Sequence, residues 1–163
     1  MPQRRSHRNS AFVKKVRPMR EVFLSHASKD HAKAVRLRKV LVDHGVPVWF
    51  SPLHIKGAQQ WQDEIGEALA RCDWFMILLT PNAVTSMWVK RELNYALSEK
   101  RYEEHIIPLL FKECDHRPLS WVLPQFQWID FANDFSEACA QLLRIWNIKL
   151  KPIAHKKRRT KRL

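Results

Sequence analysis

Between residues 21 and 148, short apolar runs alternate with longer segments whose apolar residues recur at helical spacing. EVFLS (21–25) predicts a strand. After the polar segment HASKD, Ala34, Leu37, Val40 and Leu41 fall on one face of a predicted helix. Gly45 ends that helix, as a glycine just past the last turn does. VPVWF (46–50) predicts a second strand, and SPLHIKGAQQ (51–60) a loop broken by Pro52 and Gly57. Trp61, Ile65, Ala68 and Leu69 mark a second helix. DWFMILLT (73–80) is apolar almost throughout, which suits a central strand covered on both faces. PNAVTS reads as a turn, with Ser86 placed to cap a third helix that carries Val89, Leu93, Ala96 and Leu97. HIIPLLF (105–111) predicts a fourth strand, although Pro108 deletes a ladder donor and belongs on an edge or bulge. FQWIDF (126–131) predicts a fifth strand. Phe135, Ala138, Cys139, Leu142, Leu143 and Trp146 make the last amphipathic helix.

Strands alternating with helices of this length imply βαβ units and a parallel sheet. Right-handed crossovers then place helices on both faces. The expected fold is α/β, a flavodoxin-like doubly wound five-stranded parallel sheet of order 2-1-3-4-5. In such folds ligands bind beyond the carboxyl ends of the strands, at the switch point. Three loops meet there: Ser25 to Asp30, Ser51 to Gln60, and Thr80 to Met87.

At 163 residues the chain is long enough for one domain with appendages. It is 45% hydrophobic and 28% charged, ordinary for a globular protein, and no apolar stretch is long enough to cross a membrane. The glycines, Gly45, Gly57 and Gly66, have neither the dinucleotide-turn nor the P-loop spacing. Cys72, Cys114 and Cys139 give no metal-binding pair and no even disulfide set, so a reducing, cytoplasmic setting without structural metal is expected.

The net charge of +13 changes meaning once it is divided along the chain. Residues 1–20 hold seven Lys/Arg and no acid, and residues 149–163 hold eight and no acid. The middle carries the other fourteen basic residues against all sixteen acidic ones and is nearly neutral. Three parts follow: a basic arm at 1–20, a domain at 21–148 and a basic tail at 149–163. Such arms are ordinarily solvated. A basic domain face, the footprint of nucleic-acid binders, is not what this pattern shows, though the tails are candidates for nucleic acid or an anionic surface. The arm has no apolar core of a secretory signal, although its Arg-rich, acid-free composition is shared with mitochondrial presequences. KKRRTKRL has the make-up of a nuclear signal.

The fold hosts several chemistries, so the site residues must decide between them. A phosphoacceptor receiver needs a carboxylate after the third strand and an acidic pair after the first. Here those positions read Thr80 and Ser25-His26. A flavodoxin needs loops rich in small residues, which SPLHIKGAQQW is not.

EVFLSHASKD, VWFSPLHIKGAQQWQDEIGEAL, ILLTPNAVTSMWVKRELNYAL and HIIPLLF, in that order, resemble the boxes of a bacterial-type Toll/interleukin-1 receptor (TIR) domain over about residues 21–148. The first is similar to the family's first-strand box. The second is similar to its second strand, BB loop and following helix. The third is similar to the third strand and the helix bearing W-x-x-x-E. The internal proline of the fourth strand is common in the family.

The resemblance implies either an enzyme that cleaves the nicotinamide–ribose bond of NAD, acting in anti-phage immune signalling, or a non-catalytic assembly and adaptor module. In the first case NAD is a substrate and no cofactor is implied. Self-association or other TIR domains are the implied partners, together with an effector that senses a nucleotide product.

The catalytic glutamate carries over to Glu92, four residues after Trp88. A lone Glu beside Lys90 and Arg91 is ordinarily a solvated surface residue, and only the W-x-x-x-E context lifts it to a catalytic candidate. The implied substrate-binding positions are Ser25, His26, Lys56, Trp61 and Trp88. Trp88 is read either as core or as a wall for a ring, and Trp61 as core or as an aromatic near the ligand. His26 is read as a phosphate donor or a loop cap, Lys56 as a phosphate contact, and Asp30 as the N-cap of the first helix. Enzymatic relatives frequently have Asp directly after the second strand, where this chain has Ser51-Pro52. Loop 51–60 is expected to be mobile or at a contact.

Overall fold

The structure, a computed structural model, describes residues 21–50 and 58–152, apart from the side chains of residues 58–61. In chain order the elements are β1 (Val22–Ser25), α1 (His31–Asp43), β2 (Val48–Trp49), α2 (Ala58–Arg71), β3 (Trp74–Leu79), α3 (Pro81–Val84), α4 (Met87–Ser98), β4 (Ile106–Leu110), β5 (Ile129–Asp130) and α5 (Phe135–Arg144). Short 3-10 turns occupy Ser28–Asp30, Lys100–Tyr102 and Leu123–Gln125. The strands form one sheet of order β2-β1-β3-β4-β5, parallel throughout, as the alternation predicts. No helix among the described residues is long and apolar enough to cross a membrane.

Alternation along the strands divides the core into two. Val22, Leu24, Met76, Leu78, Ile107 and Leu109 face the side covered by α1 and α5. Phe23, Phe75, Ile77, Leu79 and Ile106 face the side covered by α2, α3 and α4. The continuous apolar run of β3 is therefore explained, because it is buried on both faces.

The helix ends also follow their chemistry. Gly45 adopts φ 80°, and Val46 N–H returns to the Leu41 carbonyl at 2.9 Å, a Schellman-type closure of α1. Asn147, at φ 58°, does the same after α5, with Ile148 N–H bonded to Leu143 O. Ser86 Oγ accepts from Val89 N–H at 3.4 Å and caps α4 as expected.

Four elements differ from the sequence reading. β2 and β5 shrink to two residues each. The α2 helix begins at Ala58, inside the segment read as loop. PNAVTS holds a one-turn helix, because Thr80 accepts from Ala83 N–H and Pro81 suits a first turn.

Pro108 lies within the sheet, opposite Ile77. His105 O and Phe111 N bond toward β3, and Leu110 O bonds toward β5, so even-numbered residues of β4 face β5. The β4–β5 ladder starts only at Leu109 opposite Ile129. The donor that Pro108 lacks therefore points to the β5 side just short of where pairing begins, and the proline interrupts no ladder.

Candidate active site

The chain leaves β1 toward β2 on one side and later returns to β3 on the other, so the switch point lies outside the carboxyl ends of β1 and β3. Ser25 is the last residue of β1. Above it passes α4, held to the sheet by Val89, Leu93 and Ala96. Glu92, adjacent to Leu93 and three residues after Val89, is carried to the same inner side. Ser25 Oγ donates to Glu92 Oε2 at 2.5 Å, across 67 residues of sequence. The glutamate is only 6% exposed. Burial pushes its carboxyl up to about 7, against the Ser25 hydrogen bond, which acts in the other direction. Near neutral pH this carboxyl is divided between acid and carboxylate.

A second buried carboxylate lies at the start of α1. The sequence reading makes Asp30 the N-cap of α1, and the structure agrees on the position but not on the bond. Asp30 precedes α1 but its side chain caps no backbone N–H. It accepts instead from Thr80 Oγ1 at 2.5 Å, Lys33 Nζ at 2.9 Å and Asn82 Nδ2 at 3.3 Å. Burial opposes its ionisation, yet the hydrogen bonds from Thr80, Lys33 and Asn82 outweigh burial and hold its pKa below the ordinary value. The loop after β1 is thereby fastened to the segment after β3. Sequence reasoning assigned no part to Thr80 or Asn82. The available signal was two polar residues at the carboxyl end of a strand otherwise apolar on both faces.

His26 follows Ser25. Its Nδ1 lies 3.5 Å from Leu24 O, and its Nε2 lies 3.3 Å from His31 Nδ1. Both imidazoles meet Phe50 edge-on, with centroids 5.3 and 5.4 Å from its ring. Burial lowers the pKa of His26, with His31 adding to the effect against Leu24 O and Asp30. That lowering favours the neutral ring. With Nδ1–H toward Leu24 O, Nε2 is the acceptor from His31 Nδ1–H. His31 and Phe50 are neighbours the sequence reading did not foresee.

Trp88 stands one turn before Glu92, in the first turn of α4. It is 37% exposed, with the Arg91 guanidinium carbon 5.1 Å from its ring centroid. The reading of Trp88 as core is thus excluded. Lys56, and with it the loop expected to be mobile or at a contact, lies outside the described residues. Trp61 lies in α2, but its side chain is also outside them.

The structure therefore brings together Ser25 and Glu92, with His26 beside Ser25 and Trp88 on the helix of Glu92. No cluster of His, Cys, Asp and Glu suited to a metal occurs among the described residues. A carboxyl that ionises near neutrality, tied to a hydroxyl donor in a dry setting, can stabilise a positive charge that develops beside it.

A family model described as "TIR domain" matches residues 22–143. Among characterised proteins, the chain is 28% identical over 94 residues to "2′ cyclic ADP-D-ribose synthase BtTIR" of Bacteroides thetaiotaomicron. That match covers 56% of this chain and 33% of the relative, so the chain spans a third of the relative's length. Among solved structures, the TIR domain of the Toll-related receptor TRR-2 of Hydra magnipapillata superposes with a TM-score of 0.63 at 16% identity, over 76% of this chain and 95% of that one. The TIR domains of the activated Roq1 resistosome give 0.62 at 16% identity, over 78% and 99%. A prokaryotic SEFIR domain gives 0.57 at 18% identity, over 83% and 99%. These structural likenesses establish the fold.

Proposed function

The chain belongs to the TIR-domain family, and from that premise we propose that it cleaves the nicotinamide–ribose bond of NAD, with Glu92 as the catalytic residue. The observation that carries the reading is the Ser25–Glu92 pair at the switch point, a buried carboxyl bonded to the end of the first strand. The likeness to a cyclic ADP-ribose synthase supports the same chemistry.

In this reaction the bond between ribose C1′ and the pyridinium nitrogen breaks. Its electron pair leaves with the nitrogen, so nicotinamide departs neutral and needs no general acid. C1′ gains oxocarbenium character, as in glycoside hydrolysis. A hydroxyl of water, or a nucleophilic atom of the same dinucleotide, then bonds to C1′ and releases its proton. Ionised Glu92 stabilises the cationic centre and accepts hydrogen bonds from the ribose hydroxyls. The Ser25 hydroxyl orients the carboxylate. Trp88, with the Arg91 guanidinium over its ring, is the candidate wall for a flat ligand group, and His26, Lys56 and Trp61 are further binding candidates. In this reading the product serves immune signalling in the cytoplasm, and the site is completed by self-association.

Burial of Glu92 also favours a second reading, in which the pair is structural and the domain is a non-catalytic assembly module. One experiment separates the two. The protein is incubated with NAD over a wide dilution series and the products are identified by mass. Release of nicotinamide with ADP-ribose or a cyclic isomer, at a rate per molecule that falls on dilution, is expected. No turnover at any concentration favours the assembly module, and turnover independent of dilution removes the need for self-association.

Trp88→Ala should slow turnover by about tenfold, the loss of one ring contact. Because the indole is already exposed, its thermal midpoint should change little. A large drop in the melting temperature would show that Trp88 acts through packing instead.

A further inference from the structure

A groove of about 940 Å³ runs beneath the amino ends of β3 and β4, at the opposite end of the sheet from Ser25 and Glu92. Trp74 and Ile106, the first residues of those strands, form part of its lining. Its rim carries Glu99, Glu103 and Glu104 against one cation, Lys100. Trp121 stands at the same rim and is 77% exposed, the most exposed large hydrophobic residue described. An exposed indole beside three carboxylates is a receptor for Arg and Lys: the carboxylates pair with the charge, and the ring face accepts a guanidinium.

The chain carries such a ligand. Residues 153–163 contain Lys156, Lys157, Arg158, Arg159, Lys161 and Arg162 and no acid. We propose that this basic segment docks in the groove of its own chain. The described chain reaches residue 152 close to where the groove lies. Lys151 N–H donates to His44 Nε2 at 2.9 Å, and His44 directly follows α1 at the amino end of β2. β2 and β4 are separated by three steps across the sheet, about 14 Å at ~4.8 Å per step. Eleven residues extend to about 36 Å. The segment can cross beneath the sheet and still lay most of its basic residues along the acidic rim. The inference does not depend on the NAD reading, since the groove and Glu92 lie at opposite ends of the strands.

Trypsin tests it on the full chain, because the segment is dense in cleavage sites and the basic arm at 1–20 is an internal control. At about 0.01 M salt, where charges are felt over ~30 Å, cleavage within 153–163 should be about tenfold slower than within the arm. At about 1 M salt the two should become equal. Glu103→Gln with Glu104→Gln should remove the protection, and so should Trp121→Ala, with unchanged urea midpoints showing that the domain is folded. Equal cleavage of tail and arm in the parent at low salt overturns the proposal. Protection lost with the glutamates but kept in Trp121→Ala reveals diffuse attraction and overturns groove docking. Protection that grows with protein concentration assigns the groove to the tail of a second copy and overturns docking within one chain.

Discussion

Glu92→Gln is expected to lower NAD turnover by about 10²–10³, the usual cost of losing one preorganised electrostatic contact, while making the domain more stable in mild alkali. The two signs come from one cause. Glutamine keeps the volume and can still accept from Ser25 Oγ, but it has no charge to offer an oxocarbenium-like centre. The parent carboxyl has its pKa raised to about 7 from an ordinary 4.5. Its contribution to stability is therefore fully present below about 4.5 and is lost as pH rises through about 7, because the buried group must then ionise. That gap corresponds to about 3 kcal/mol. Urea unfolding at pH 5 and pH 8.5 should show the parent weakening by an amount of that order and the Glu92→Gln variant changing far less.

Turnover runs the other way. The ionised form is the active one, so kcat/KM of the parent should fall as pH drops below about 7. Lys90→Ala, on the exposed side of α4, should leave turnover near that of the parent. A folded Glu92→Gln variant that cleaves NAD as fast as the parent would end the catalytic assignment, whatever its stability.

Asp30→Asn is expected to destabilise the domain by about 3 kcal/mol, a fall of roughly 10 °C in melting temperature. The carboxylate accepts from Thr80, Lys33 and Asn82, and an amide cannot replace it, because its NH₂ would face one of those donors. Lys33→Ala should cost under about 1 kcal/mol, since the lysine side chain is 44% exposed and its pair is screened. The pKa of Asp30 is depressed from 3.8, so its stabilisation is present above that value and is lost as pH falls through the lower, folded value. The gap between parent and variant should be wide at pH 7 and narrow in strong acid. Equal urea midpoints at pH 7 would show that the Asp30–Thr80 link contributes nothing to holding the two loops.

The fold was legible because its signals were redundant. β3 announced itself by being apolar on both faces. Both α1 and α5 did so through one continuous stripe each, and Gly45 and Ser86 sat where termini need them. β2 and β5 were overread because VPVWF and FQWIDF stay apolar past the point where pairing stops. Burial alone keeps a residue such as Phe50 apolar, without a ladder.

At the site, Glu92 was singled out only through the resemblance of its W-x-x-x-E context to the family's, and its burial was not legible. Lys90 and Arg91 beside it read as a solvated face, and only packing shows that 92 turns inward. The partners of Asp30 were illegible for a different reason. Thr80 and Asn82 are fifty or more residues away, and hydrogen bonds across that separation leave no local pattern. Lys56 and the Trp61 side chain lie outside the described residues.

The shortness of the two outer strands governs how copies of this domain can meet. β2 and β5 each expose only two residues of backbone along the sheet's margins. Sheets that present long free margins tend to add strands from neighbours and grow without limit. A domain meant to gather at high local density, as the proposed self-association requires, would be at particular risk of that runaway polymerisation. Among the described residues neither margin gives a foreign strand more than a two-residue register, which favours association through side chains over added strands. Crowding of copies would then find little backbone in these strands on which to template a growing sheet.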